Sequence, residues 1–234
     1  MTKFLKNLYR LILIGTPLFI ILNYIRNFLP NYKTKKKSKK IEKTIYDQFQ
    51  SINYNEKWFC NNLNFLSTNF KNIKNVKNIL EIGSYEGRSA IFFIKNFSGS
   101  NITCVDTWTG SDEHNNINFE LIEKNFDFNT SFYQSNNILM KYKMTSNEFF
   151  KKNHKHFDLI FIDGDHSCDQ VKIDLINSWN ILNNGGFLVL DDYMWWYYKD
   201  LKKNPSTPIN NFIKSNISNI SKLVVWHQVI IQKT

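Results

Sequence analysis

From residue 75 onward, short apolar runs alternate with stretches in which apolar residues recur every three or four positions. The short runs predict buried strands at 76–82, 101–106, 156–163 and 186–192. The stretches between them predict helices, as in RSAIFFIKNF, SNEFFKKN and CDQVKIDLINSWNIL. Strands that alternate with helices indicate an α/β fold with a mostly parallel sheet and helices on both of its faces.

The chain ends in two further apolar runs, which lie within ISKLVVWHQVIIQK. Too few residues separate these runs for a helix, so we expect them to pair as an antiparallel hairpin at one edge of the sheet. The predicted α/β domain therefore extends over residues 76–234.

Upstream of the sheet, the apolar residues of the segment 41–75 are spaced three or four positions apart, which predicts one or two amphipathic helices. These apolar positions are Ile41, Ile45, Phe49, Ile52, Trp58, Phe59, Leu63 and Leu66. We interpret residues 42–75 as a helical cap packed on the domain, in preference to a dedicated partner-binding segment.

An uncharged run at 11–25, LILIGTPLFIILNYI, lies between two arginines and is followed by the lysine-rich KTKKKSKK. As a helix the run would span about 22 Å, which is less than the ~30 Å hydrocarbon core of a bilayer. Four interpretations stay open for residues 1–41: a short signal anchor, an in-plane amphipathic anchor, a cleaved targeting peptide and a nuclear localisation run. The absence of acids keeps mitochondrial targeting among them.

We expect membrane contact through residues 4–40, because the lysines that follow the apolar run would attract anionic lipid. If residues 11–25 span a bilayer, the heavier positive charge after them predicts that the folded domain lies on the cytoplasmic side. Three cysteines without C-x-x-C spacing are consistent with a reducing compartment.

The net charge of +10 is unevenly placed along the chain. The first acidic residue is Glu42, and the basic residues that precede it account for the whole excess. A protein that neutralises many phosphates needs a basic face on its fold. We therefore expect a neutral domain with a basic tail and no specific nucleic-acid partner.

Acidic residues end each of the four predicted strands: Glu81, Asp106, Asp163 and the pair Asp191 and Asp192. The carboxyl ends of parallel strands share one edge of a sheet, where open α/β folds bind their ligands. Carboxylates gathered on one rim repel one another, and a metal ion or a cationic ligand would relieve that repulsion. The rim is therefore the candidate site.

The first strand leads into a turn with the pattern E-x-G-x-x-x-G, in which Gly83 and Gly87 allow a tight bend and a close approach to a ligand. Asp106, at the end of the second strand, lies where an adenosine ribose presents its two hydroxyls in dinucleotide folds. The turn lacks the G-x-G-x-x-G pattern, so it has no pyrophosphate to hold.

Four segments, LEIGSYEGRSA, CVDTWTGSDEH, FDLIFIDGDHS and GGFLVLDDY, resemble in order and spacing the class I methyltransferases that use S-adenosylmethionine (SAM). The resemblance is strongest to small-molecule and macrocin-type sugar O-methyltransferases. It implies a Rossmann-like, seven-stranded, mostly parallel sheet with an antiparallel C-terminal hairpin, here with an N-terminal hydrophobic and basic helical extension.

The same resemblance implies roles for individual residues. The methionine part of SAM would be held by Glu81, Gly83, Ser84, Tyr85 and Gly87. Asp106 would bind the ribose, and Ser146 would lie near the adenine. Relatives place a divalent metal, here expected to be Mg²⁺, at the positions of Asp163, Asp191 and Asp192.

The implied reaction transfers a methyl group to a hydroxyl of a sugar or another small-molecule acceptor. His166 follows Asp163 by three residues and is the candidate general base, against the simpler interpretation that it caps the next helix. The aromatic segment 192–198 is a candidate acceptor-binding surface. Two rival functions stay open: an inactive, membrane-tethered structural subunit, and an RNA or protein methyltransferase.

Overall fold

The computed structural model describes residues 32–46, 54–55, 58–112, 114, 117–193, 195, 197–198, 200 and 202–234. Seven strands form one sheet in the order β3-β2-β1-β4-β5-β7-β6. Their bounds are β1 Asn78–Ile82, β2 Asn101–Asp106, β3 Leu139–Lys143, β4 Phe157–Ile162, β5 Leu182–Leu190, β6 Ile220–Val225 and β7 Val229–Lys233.

Strands β1 to β5 pair in parallel, and β7 is antiparallel to both of its neighbours, β5 and β6. The predicted fold class, including the C-terminal hairpin, is confirmed. Strand β5 begins at residue 182 and not at 186 as predicted, because it follows directly on the preceding helix. Strand β3 was not among the predicted runs.

Seven α-helices and two short 3₁₀ helices are present in the described part of the chain. The α-helices are α1 Tyr32–Tyr46, α2 Leu63–Phe70, α3 Arg88–Asn96, α4 Phe119–Ser135, α5 Ser146–Lys152, α6 Cys168–Ile181 and α7 Ser206–Ser215. The 3₁₀ helices are Trp58–Asn62 and Ile217–Asn219. None of the described helices is long and apolar enough to cross a membrane, and the run at 11–25 lies outside the described residues.

The sheet has a hydrophobic core on each face because successive strand residues point to opposite sides. In β1, Ile79 packs on the face covered by α2, α3 and α4, whereas Leu80 packs on the face covered by α6 and α7. Both residues are fully buried. Burial on both faces explains why the central strands are apolar runs without a polar alternation.

Helix α1 crosses the boundary at which the lysine-rich segment was separated from the cap. The hydroxyl of Ser38, within the lysine run, accepts a hydrogen bond from the backbone N–H of Asn64 at 3.1 Å. Tyr46, at the end of α1, donates to the backbone carbonyl of Arg88 at 2.8 Å. Part of the positive charge therefore lies on a helix that packs against the fold, which corrects the expectation that it all lies on a separate tail.

Backbone hydrogen bonds align the carboxyl ends of the central strands in one row. Gly83 N donates to the Val105 carbonyl at 2.9 Å, Asp163 N to the Ile82 carbonyl at 2.8 Å, and Asp191 N to the Ile162 carbonyl at 2.9 Å. The first residues after β1, β4 and β5 therefore lie side by side at the same edge of the sheet. The common acidic edge predicted from the strand ends is present in the structure.

The backbones of two neighbouring strand ends approach each other closely at Gly83. Its φ of +84° is in the left-handed region, and a Cβ at this position would lie 2.0 Å from the backbone oxygen of Asp163. Gly185 has a similar φ of +78° but has open space around the corresponding position. Substitution of Gly185 would therefore introduce backbone strain alone, whereas substitution of Gly83 would add a steric clash.

We predict that Gly83→Ala lowers the free energy of unfolding by about 3 kcal/mol or more, because strain and overpacking act together. Gly185→Ala, the matched control, should cost only about 1 kcal/mol of strain. Chemical denaturation of both variants measures the difference. Equal losses would show that the contact with Asp163 is not limiting.

Candidate cofactor and metal site

Glu81 is a fully buried acid at the start of the turn formed by residues 81–87, which we call the cofactor turn. Its Oε2 accepts a weak hydrogen bond from the Cys104 thiol at 3.4 Å, and its Oε1 has no hydrogen-bond partner in the described structure. Burial raises the pKa of the Glu81 carboxyl to about 7, although the nearby Ser89 and Ser84 hydroxyls oppose the shift. An ammonium group is a natural partner for such a carboxylate.

The buried hydroxyl of Ser84 lies near the Glu81 carboxyl but meets the geometry of a hydrogen bond with no group of the described structure. Buried polar groups are nearly always hydrogen-bonded, so two such groups on one turn require an explanation. A bound amino acid moiety would supply a cation to Glu81 and a hydrogen-bonding partner to Ser84. The residues of the turn therefore fit the methionine part of SAM.

Asp106 fixes the shape of the turn. Its Oδ2 accepts hydrogen bonds from the backbone N–H groups of Ser84 at 2.8 Å and Tyr85 at 2.9 Å. Its Oδ1 accepts from the N–H of Trp108 at 2.7 Å. A carboxylate has about four acceptor positions, so three are already used. Asp106 therefore positions the turn, and its contact with a ribose stays a prediction.

Tyr85 occupies the middle of the turn with a left-handed φ of 45°. Its backbone carbonyl accepts a hydrogen bond from the indole N–H of Trp108 at 2.8 Å, and the Trp108 side chain is buried. The ammonium of Lys141 lies 4.5 Å from the centre of the Trp108 ring. Trp108 therefore stabilises the turn through this hydrogen bond. That role was not apparent from the sequence.

Gly87 and Ser146 make contacts within the protein that were not predicted from the sequence. A Cβ on Gly87 would meet Thr130 and Phe126 of α4, so the glycine is required by packing as well as by the turn. Ser146 begins α5, and its hydroxyl accepts a hydrogen bond from the Gln170 side chain at 3.1 Å. The predicted contact between Ser146 and the adenine therefore stays a prediction.

Three side chains of types that can bind metals converge where β4 and β5 end. Ligand atoms of Asp163, His166 and Asp192 all lie within 4.8 Å of one another. His166 Nε2 is 3.3 Å from Asp192 Oδ2 and 4.0 Å from Asp163 Oδ1. Asp192 reaches this position with a left-handed φ of 45°, a conformation that non-glycine residues adopt at an energetic cost.

The donor set fits a divalent cation, because two carboxylates and an imidazole lie at mutual distances that one ion can bridge. The imidazole of His166 is mostly buried, and its ring centre lies 5.5 Å from that of Trp195. The structure thus brings together two of the three predicted metal ligands and the predicted general base.

Asp191, the third predicted metal ligand, is turned away from this cluster. Its Oδ2 accepts a hydrogen bond from the Gln228 side chain at 3.0 Å, and its Oδ1 accepts from Asp192 N at 2.8 Å. The Asn62 amide lies 3.4 Å from both oxygens. Burial, with the neighbouring charge of Asp192, raises the pKa of Asp191 to about 7. Metal binding by Asp191 stays a prediction.

A family model described as a methyltransferase domain matches residues 80–193, which include the turn after β1 and both acids that follow β5. These residues, just under half of the chain, are similar to a methyltransferase domain. No curated protein matches the sequence. The match to the methyltransferase family model confirms the enzyme assignment made from the four motifs.

Solved structures show the same fold as this methyltransferase. An O-methyltransferase from Bacillus cereus, in complex with SAH, is 15% identical over 88% of this chain and 93% of that chain, with a TM-score of 0.50. TomG from Streptomyces achromogenes, involved in tomaymycin synthesis and bound to SAM, is 11% identical over 90% and 94%, with a TM-score of 0.53. MycE of the mycinamycin pathway, bound to Mg, SAH and mycinamycin VI, is 17% identical over 77% and 50%, with a TM-score of 0.51.

Three residues of the methyltransferase site were not anticipated from the sequence. Glu86, within the turn, is buried and accepts hydrogen bonds from Asn55 N at 2.9 Å and from the Asn125 side chain at 2.8 Å. It therefore ties the turn to the cap and to α4. Gln228 and Asn62 hold Asp191 from distant parts of the chain. A polar residue inside the apolar hairpin was the one signal for Gln228.

Glu81→Gln should separate stability from cofactor binding. Between its unfolded pKa of 4.5 and its folded pKa of about 7, the unfolded state is ionised and the folded state is not, so stability falls as the pH rises. Replacement by Gln removes that loss. We expect the ligand-free variant to be more stable than wild type by about 3 kcal/mol at pH 8 and equally stable below pH 4.5.

Denaturant titrations at pH 4 and pH 8 measure this effect, and Glu120→Gln on the exposed surface is the control. The Glu120 variant should show no comparable gain at pH 8. A Glu81 variant that loses stability at pH 8 would mean that the carboxylate already has a compensating partner within the protein.

Proposed function

We propose that this methyltransferase transfers the methyl group of SAM to a hydroxyl of a sugar or another small-molecule acceptor, with a divalent cation at the rim. The observation that carries the proposal is the convergence of Asp163, His166 and Asp192 beside the cofactor turn. Asp163 lies at the point of closest approach to Gly83, so the acidic cluster and the turn are immediate neighbours.

The turn supplies the groups that would bind SAM. The carboxylate of Glu81 would pair with the methionine ammonium, and the Ser84 hydroxyl would contact the amino acid end. Asp106 holds the two backbone amides of the turn in place before any ligand arrives. A site shaped in advance loses less conformational entropy when its ligand binds.

Transfer to oxygen requires that the acceptor hydroxyl loses its proton as the carbon–oxygen bond forms. His166 is the group placed to take that proton, because its imidazole lies at the rim and contacts Asp192 at 3.3 Å. The carboxylate of Asp192 would stabilise the imidazolium that results. The proton therefore moves from the acceptor oxygen to a ring nitrogen of His166.

Asp163 and Asp192 are the proposed carboxylate ligands of the cation, and Mg²⁺ prefers such oxygen donors. A bound divalent cation would orient the acceptor oxygen and lower its pKa. Asp191 would have to give up hydrogen bonds from Gln228 and Asn62 in order to join them. MycE, which shares the fold, contains Mg, and this supports the proposed metal.

An aromatic side chain beside His166 and another in the same segment favour a ring-shaped acceptor. Trp195 lies against the imidazole, and the Tyr197 hydroxyl donates a hydrogen bond to the Asp112 carbonyl at 3.4 Å. This second contact joins the segment after β5 to the segment after β2, on either side of the rim. Aromatic faces are well suited to bind sugar rings and planar molecules.

The test is methyl transfer by the full chain to a panel of sugars and catechols, with Mg²⁺ or with EDTA. We expect activity that EDTA abolishes. Asp163→Asn, Asp192→Asn and His166→Gln should each lower turnover by about 100-fold or more while SAH binding is retained. Asp165→Asn, an exposed residue of the same loop, is the matched control and should keep full activity.

Each outcome decides one part of the proposal. Full activity in EDTA would refute the metal, and methylation of RNA or protein with no methylation of hydroxyl acceptors would refute the acceptor class. SAH binding without transfer to any acceptor would favour the inactive structural subunit. Asp191→Asn tests whether Asp191 is a third metal ligand. If it is, the activity of this variant should fall as low as that of Asp163→Asn. A smaller loss would show that Asp191 only supports Asp192.

A further inference from the structure

Helix α1 presents a strongly basic surface to solvent. Four neighbouring exposed lysines form this surface, which we call the lysine face: Lys36, Lys37, Lys39 and Lys40. Lys43, one turn further along α1, is exposed as well. Glu42, the first acid of the chain, does not neutralise it, because its carboxylate pairs with the buried guanidinium of Arg88 at 3.2 Å. The lysine face therefore has a high density of positive charge.

The opposite side of α1 is held firmly on the domain. Ile41 and Ile45 pack against the core, and Ser38 and Tyr46 are buried. The Arg88 guanidinium lies 3.9 Å from the centre of the Tyr54 ring and 5.0 Å from that of Tyr46. These contacts fix the rotation of α1 about its axis, so the lysine face is directed away from the protein.

Two partners carry enough negative charge to match this face, a nucleic acid and an anionic bilayer. The sequence that precedes α1 distinguishes them, because the uncharged run 11–25 lies within about ten residues of the first of these lysines. A nucleic acid offers no favourable surroundings for such a run. A bilayer binds both features at once, its headgroups attracting the lysines and its interior the apolar residues.

We propose that the lysine face docks on the surface of a bilayer that contains anionic phospholipid. Arg88 directly follows Gly87 of the cofactor turn, and Tyr46 and Glu42 of α1 both bind it. Docking through α1 would therefore hold the cofactor turn close to the membrane surface. The proposal concerns where the enzyme works and does not depend on the identity of the acceptor.

The test measures binding of the full chain to vesicles of phosphatidylcholine with and without phosphatidylserine. Replacement of the four lysines by Gln should weaken binding to the anionic vesicles by about tenfold or more, because each lysine near the surface contributes separately. The matched control replaces four exposed lysines elsewhere by Gln: Lys71, Lys74, Lys172 and Lys214. It has the same net charge and should bind as wild type does.

Lysine acylation followed by mass spectrometry gives a second readout that does not depend on residues 11–25. Anionic vesicles should protect the lysine face from acylation several-fold more than neutral vesicles do, and should leave Lys71 and Lys74 unprotected. SAH binding by the quadruple variant confirms that it is folded. Equal protection by both vesicles, or protection by RNA and not by vesicles, would overturn the proposal.

Discussion

The approach of the turn after β1 to the end of β4 is the constraint on which the site depends. Gly83 lies so close to the Asp163 carbonyl that any side chain would collide with it. The parallel hydrogen bonds of the sheet carry this alignment to both sides, to Asp106 after β2 and to Asp191 after β5. A cofactor turn and an acidic cluster are thereby brought together by a close approach of their backbones.

Neighbouring acids on this edge have different tasks because their surroundings differ. Glu81 is buried with one oxygen unpaired, and this favours a cationic ligand. Asp106 accepts three hydrogen bonds from backbone amides, so it shapes the turn. Asp163 and Asp192 are partly exposed beside His166, where they can share a cation. The position of an acid at a strand end therefore does not by itself define its role.

Local patterns were sufficient to predict six of the seven strands, because buried parallel strands are apolar runs and the hairpin has no room for a helix. They missed β3, whose residues are mostly only partly buried. They also predicted that the strand-end acids meet at one edge. They could not predict that Gln228 and Asn62 hold Asp191, since these contacts join residues far apart in the chain. The docking of the lysine-rich half of α1 was missed for the same reason: the lysines suggested a free tail, whereas Ser38 among them is buried and binds Asn64.

The central claim is that Glu81 is mostly protonated below pH 7 in the ligand-free protein and ionises to receive the ammonium of the cofactor. Calorimetry of SAH binding at pH 6, repeated in buffers of different ionisation enthalpy, counts the protons exchanged. Because burial holds the pKa of Glu81 at about 7, binding should release close to one proton in wild type and almost none in Glu81→Gln. Wild-type binding without proton release would contradict the account.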